Sequence, residues 1–299
     1  MMNISEKTIK QETAVSQTRQ IDWPIIIFFA LAYLIAWSMI PVLSAIARQS
    51  GVADWTTLSQ MAEVLEFGGI DLSVPGWVVY LITRLQDFAF SLAGVIMIAY
   101  LHGRSGLREL GQRLLKWQIS GRVWLVALLP LGLYLLATAV SGELASFTFN
   151  GQTLSAILFS AEAGLLVTLF LRGPMGEELG LRGFALPRLQ ARMSPFRASV
   201  IIGILWAAWH LPVLLGRDVV SIVAFLLLAF VLSFIFTWLF NSSGGSLIPV
   251  LLFHAIQNTE EMFETIFPSL LGTDWELIST LGLLVIGIVF GIILWRKKN

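Results

Sequence analysis

The feature that most constrains this chain is a series of apolar stretches, several of 18 residues or more, separated by short polar or charged segments. Such a stretch is long enough to cross the hydrocarbon layer as a helix. In lipid, a helix is also the one structure in which a single segment satisfies its own backbone hydrogen bonds. Composition points the same way. The chain is 57% apolar and 13% charged, where a soluble domain carries about 25% charged residues. The expected fold is all-α: a polytopic membrane protein of about eight transmembrane helices, with a polar site buried between the helices of the second half. The spacing predicts spans over 23–47, 76–101, 122–140, 162–186, 198–215, 219–240, 246–262 and 277–295. The fourth admits two boundaries. Apolar count alone places it at Leu154 to Leu171, ending at the Gly173-Pro174 breaker. Carrying it on to 186 with a kink at Pro174 places Glu177 inside the bilayer, and this is the preferred reading.

Residues 1–20 are polar and lack a signal-peptide pattern, so a disordered tail is expected there. Residues 21–299 are expected to form a single transmembrane domain, with a functional core over about 154–262. Eight spans would place sixteen of the nineteen Lys and Arg residues on the side that holds both ends, among them the five from Arg172 through Arg182 to Arg197. Basic residues mark the cytoplasmic side. Both termini are therefore expected in the cytoplasm, in a plasma membrane of bacterial type. A net charge of zero and no basic arm give no footprint for nucleic acid. The chain has no cysteine, which removes disulfides, thiolate nucleophiles and any cysteine-based zinc site.

Within this apolar background a few polar residues stand out. Gly173-Pro174-Met175-Gly176-Glu177-Glu178-Leu179-Gly180-Leu181-Arg182 follows one of the most apolar runs. Glu178 and Arg182 are i,i+4 on a helix, with the acid N-terminal, the better orientation for an ion pair. Glu177 lies about 100° around the helix from Glu178 and is left without that partner. A free carboxylate in a desolvated site is the kind of group that serves as a general base near neutral pH. His210 and His254 interrupt two later apolar helices, and Asn258 follows His254 at i+4. Ionisable residues at membrane depth mark functional sites by default. Spacing alone does not choose which glutamate is the base. The ion pair Arg84/Asp87 reads as structural, and the aromatics Trp206, Trp209 and Phe253 read as packing.

Taken together, Glu177-Glu178-x-x-x-Arg182, the aromatic-x-x-x-His of Trp206 to His210, and His254-x-x-x-Asn258 resemble the CPBP family. This is the group of CAAX proteases and bacteriocin-processing proteins, which includes Ras-converting endopeptidases and abortive-infection proteins. The motifs span residues 173 to 258, and the eight-helix layout resembles the family over most of the chain. There is no H-E-x-x-H motif for a zincin and no G-x-S-x-G for a serine hydrolase. The resemblance implies intramembrane hydrolysis of a membrane-associated peptide or protein. It implies that Glu177 and His210 activate the water, that His254 and Asn258 hold the oxyanion, and that Glu178 and Arg182 brace the site. It also implies an alternative in which Glu177, His210 and His254 ligate zinc; the residues suit either, and a glutamate-activated water without an obligatory metal is preferred. Two other classes stay open on sequence: a non-catalytic scaffold or immunity protein, and a proton-coupled transporter. Against the transporter, the polar residues cluster in the second half, with no repeat between halves.

Overall fold

The computed structural model describes residues 22–63, 66–142, 150–159, 164–259, 266 and 275–296, all helices and turns with no strand among them. The expected tail, Glu162, the acids from Glu260 to Asp274 and the last lysines lie outside the described residues. The helices are α1 (Trp23–Gln49), α2 (Trp55–Glu63), α3 (Gly76–Asp87), α4 (Ala89–Leu114), α5 (Gly121–Ala127), α6 (Leu129–Val140), α7 (Gly151–Phe159), α8 (Val167–Leu171) and α9 (Gly173–Gly180). A π-helical turn (Leu181–Ala185) leads to α10 (Leu186–Gln190), α11 (Pro195–Trp209), α12 (Leu211–Leu214), α13 (Val219–Ser242), α14 (Ile248–Gln257) and α15 (Trp275–Arg296).

Three helices, α1, α13 and α15, are long and apolar enough to cross a bilayer unbroken. The number rises to five if each bent pair is one span: α3 with α4, bent by 62°, and α5 with α6, bent by 51°. Their flanks carry exposed large apolar residues, among them Leu34, Leu125, Leu136, Val220 and Val285. That is the inverse of a soluble surface and suits hydrocarbon contact.

The other expected spans are interrupted. The helix expected to run through 162–186 with a kink at Pro174 instead breaks at Arg172, whose backbone is extended. Pro174 then sits in the first turn of α9, where a missing N–H costs little. The helix expected over 198–215 stops at Trp209, with His210 as its C-cap. The helix expected over 246–262 is the ten-residue α14, with Asn258 as its C-cap. At 15 and 10 residues, α11 and α14 fall short of the ~20 needed to cross. Each break coincides with a polar residue of interest. Irregular backbone at membrane depth is tolerated where it lines a cavity, and these breaks do.

Packing positions the site. α9 lies against the α3–α4 bend through glycines: a Cβ at Gly176 or Gly180 would collide with the backbone carbonyls of Asp87 and Phe90. Gly203 lets α11 approach the backbone of Phe230 on α13. The central core under the site holds Phe28, Phe90, Phe184, Ile202, Phe236 and Phe253. α14 is anchored by its preceding turn. Gly244 and Gly245 both take positive φ, which only glycine adopts freely. Lys116 Nζ donates to the Gly244 carbonyl at 2.7 Å, and Leu247 N–H donates to the Arg113 carbonyl at 3.1 Å.

Candidate active site

α9 and the π-helical turn deliver three charged side chains to one buried point. Glu178 and Arg182 are fully buried, and Glu177 is 5% exposed. Arg182 Nη1 lies 3.0 Å from both Glu178 carboxylate oxygens. The flat guanidinium also faces the rings of Phe236 and Trp206, at 4.7 and 5.3 Å from their centroids. A buried guanidinium needs such partners, because leaving it unpaired would cost several kcal/mol.

From α14, His254 reaches the same carboxylate, its Nδ1 2.9 Å from Glu178 Oε1. A carboxylate only accepts, so Nδ1 carries the proton. Nε2 is then the ring atom left for other work. Glu178 is thus engaged by both Arg182 and His254. Glu177 is not: its one hydrogen bond is from the indole N–H of Trp206 to Oε2. Oε1 of Glu177 faces Gly173 and Asn258. A Cβ on Gly173 would sit 2.9 Å from Glu177 Oε1 and 3.3 Å from Asn258 Nδ2. Only glycine leaves that space open.

His210 sits one helical turn beyond Trp206, and its Nδ1 donates to the Trp206 carbonyl at 2.9 Å. A carbonyl cannot donate, so neutral His210 keeps its lone pair on Nε2. The Trp206 ring lies between the two histidines, 5.8 Å from His210 and 5.6 Å from His254, centroid to centroid. No hydrogen bond joins Glu177 to either histidine or to Asn258. They meet instead across two cavities that share Glu177, His210, Val213 and Asn258. One, of about 300 Å³, also has His254 and an apolar wall from α13, including Phe225, Ala229 and Leu232. The other, of about 590 Å³, is polar and runs to Gln60 and Arg217.

All six residues singled out in the sequence therefore border this place. Glu177, Glu178, Arg182 and His254 are in its buried centre, His210 is half-buried on its wall, and Asn258 is exposed at its edge. Sequence reasoning missed three contributors. Trp206, read as packing, is the hydrogen-bond partner of Glu177; its indole N–H was the available signal. Gly173 provides the gap between Glu177 and Asn258. Arg84, read with Asp87 as a structural pair, donates to the Leu171 carbonyl at the end of α8 and lies 3.0 Å from Asp87 Oδ2. It thus satisfies the broken helix end just before Gly173. Arg172, counted with the cytoplasmic basic residues, belongs elsewhere: it pairs with Glu63 at 3.0 Å beside the polar cavity.

Among the described residues, the group suited to a metal is Glu177, Glu178 and His254, with one donor atom from each within 4.8 Å of the others. Arg182 and His254 already occupy Glu178, which leaves Glu177 Oε1 and the Nε2 atoms of the histidines as the donors without another partner, but His210, an expected ligand, is not one of the group that lies within that distance. Two imidazoles and a carboxylate fit the nitrogen and oxygen preferences of zinc.

Residues 159–259 match the family model described as type II CAAX prenyl endopeptidase Rce1-like. Over 174 residues the chain is 29% identical to CAAX prenyl protease 2 of Methanococcus maripaludis, a match that covers 55% of this chain and 60% of that protein's length.

Proposed function

We propose that this chain, whose residues 159–259 fall in the CPBP family of membrane proteases, is an intramembrane endopeptidase that hydrolyses a peptide bond with a glutamate-activated water. The observation that carries this reading is the division of labour between the two acids. Glu178 is consumed by Arg182 and His254, while Glu177 keeps one oxygen toward a cavity shared with His210 and Asn258.

In the proposed reaction, Glu177 takes a proton from a cavity water as its oxygen attacks the carbonyl carbon. His210 Nε2 accepts the water's second hydrogen bond and orients it. The carbonyl π pair moves to oxygen, and His254 Nε2–H and Asn258 Nδ2–H hold the resulting oxyanion. Donating from both ring nitrogens makes His254 an imidazolium. With Glu177 and Glu178 ionised, that charge and Arg182 bring the four buried groups to neutrality. Collapse of the intermediate breaks the C–N bond, and the proton held by Glu177 passes to the leaving amine. Glu178 and Arg182 fix His254 rather than touch the substrate. If zinc is bound, Glu177, His210 and His254 would hold it, and it would polarise the carbonyl and acidify the attacking water.

The same reading takes eight membrane-crossing segments, counting the interrupted ones, in a single domain whose protease core is about 154–262. It places both termini in the cytoplasm and the chain in a plasma membrane, with a membrane-associated peptide or protein as substrate.

The test is cleavage of a validated substrate by purified variants. Glu177→Gln and His210→Ala should abolish turnover in protein that still inserts and folds. Asn258→Ala should leave a residue of activity, since loss of one oxyanion donor costs about 10²–10³ in rate. Wild-type turnover by Glu177→Gln would end the assignment. Metal content with activity after exhaustive chelation separates the two chemistries. Retained activity is expected; loss on chelation with recovery on returning zinc would make the histidines ligands.

A further inference from the structure

We infer that the site is served from the face opposite the chain's basic face, so that the segment it cleaves is delivered from the extracytoplasmic side. That the guest is a polypeptide rests on the endopeptidase reading; the side of access does not.

The two faces are defined by contacts between chain segments. On one, Asp22 before α1 pairs with Arg188 at 2.8 Å and Arg192 at 3.1 Å. Lys116 after α4 holds the Gly244 carbonyl after α13. This face gathers the cations from Arg104 to Arg122 and from Arg188 to Arg197. On the other, Ser73 N–H donates to Ser50 Oγ at 2.9 Å, and Glu63 pairs with Arg172. α1 runs from Asp22 on the first face to Ser50 on the second. α13 runs from Asp218 on the second to Ser243 on the first.

Every candidate catalytic group lies toward the second face. Glu177 is five residues from Arg172 but eleven from Arg188, about 7.5 against about 16.5 Å at the helical rise of 1.5 Å per residue. His210 and Asn258 cap the second-face ends of α11 and α14. The polar cavity runs from buried Glu177 to the exposed Gln60, Leu215 and Arg217 on that face. Toward the basic face the aromatic core around Phe28, Phe184 and Phe253 closes the way. The cavity found there, of about 300 Å³ and lined by His102, Glu109, Arg113 and Arg188, shares no residue with either site cavity. Basic residues mark the cytoplasmic side, so the opening faces outward.

Because the chain has no cysteine, single cysteines report access without background. A membrane-impermeant maleimide is applied to intact cells carrying Gln112→Cys on the basic face, Asp71→Cys on the other, Gln60→Cys at the rim, or Val213→Cys on the wall shared by the two site cavities. The last three should label in intact cells, and Gln112→Cys only after permeabilisation. Protection of Gln60→Cys and Val213→Cys while Asp71→Cys labels would overturn the inference. So would labelling of Gln112→Cys with Asp71→Cys protected, which would show the orientation inverted. Labelling needs no turnover, so neither result depends on the endopeptidase reading. In cells that cleave a validated substrate, full labelling of Val213→Cys from outside should stop cleavage. Continued cleavage at full labelling would overturn delivery from that side.

Discussion

At the scale of single residues, the chemistry turns on how two adjacent acids are kept apart. Glu177 and Glu178 differ by one position, yet one faces Arg182 and His254 while the other faces Trp206 and open space. Trp206→Phe tests how much the indole bond matters. Phenylalanine keeps most of the ring that fills the gap between the histidines, and the freed carboxylate oxygen borders a cavity that can supply water. Turnover should fall by no more than about tenfold, the low end of a bond to a charged group at ~1.5 kcal/mol. A loss beyond a thousandfold, in protein of unchanged thermal stability, would make Trp206 part of the catalytic machinery. Arg182→Ala is a different matter. It leaves the Glu178 carboxylate buried with His254 alone and opens a void against Phe236. It should cost about 3–5 kcal/mol of stability, read as a drop in unfolding midpoint, and Arg182→Lys should not fully restore it because Lys lacks the planar fork.

At the scale of elements, the spacing of Glu178 and Arg182 made their pairing legible, and the apolar runs made most helices legible. The bend between α3 and α4 was not: Phe88 is neither Gly nor Pro, whereas Leu128 is followed closely by Pro130 in the first turn of α6. The bend at Phe88 is where α9 presses its glycines against the backbone, a tertiary contact that no local pattern displays. The break before Pro174 was legible: apolar count alone ends the helix at Leu171, where α8 does end, but the preferred reading carries it on, and nothing local showed that Pro174 would start the next helix. This contact yields a prediction. Gly180→Ala places a methyl group against the Phe90 carbonyl. Overpacking of this kind costs about 1–3 kcal/mol, and more against unyielding backbone. Gly132→Ala, on a helix with nothing within 4 Å of its new methyl group, should leave stability level or raise it by about 0.5–1 kcal/mol. Unfolding midpoints of the two variants in the same detergent decide the matter. Equal midpoints would mean that α9 and α4 are not in tight contact.

At the scale of the whole molecule, the asymmetry of basic residues was visible in the sequence, but two of its members were misplaced there. Arg172 is on the opposite face with Glu63, and Arg182 is inside the protein. Sequence order puts both in the same basic run as Arg188, and only the break at Arg172 and the burial of the site separate them. Removing them leaves the basic face far richer in cations than its opposite. It also leaves the mouth of the polar cavity with a mixed field, lined by Asp54 and Glu63 together with Arg172 and Arg217. Asp54 is held by the Thr56 hydroxyl and the Thr57 N–H, and Arg172 by Glu63, whereas Arg217 is exposed and has no ion pair among the described residues. An exposed cation at the entrance of a low-dielectric cleft acts on encounter more than on chemistry. Arg217→Gln should therefore raise KM for an acidic peptide and leave kcat within about twofold. Stability should move by less than about 0.5 kcal/mol, as for surface changes generally. The KM difference between wild type and variant should shrink as salt rises, because the Debye length falls from ~10 Å at 0.1 M to ~3 Å at 1 M. Measuring KM and kcat for acidic and basic versions of one peptide at both salt concentrations separates the cases. A change in kcat that persists at high salt would move Arg217 from the entrance to the reacting centre.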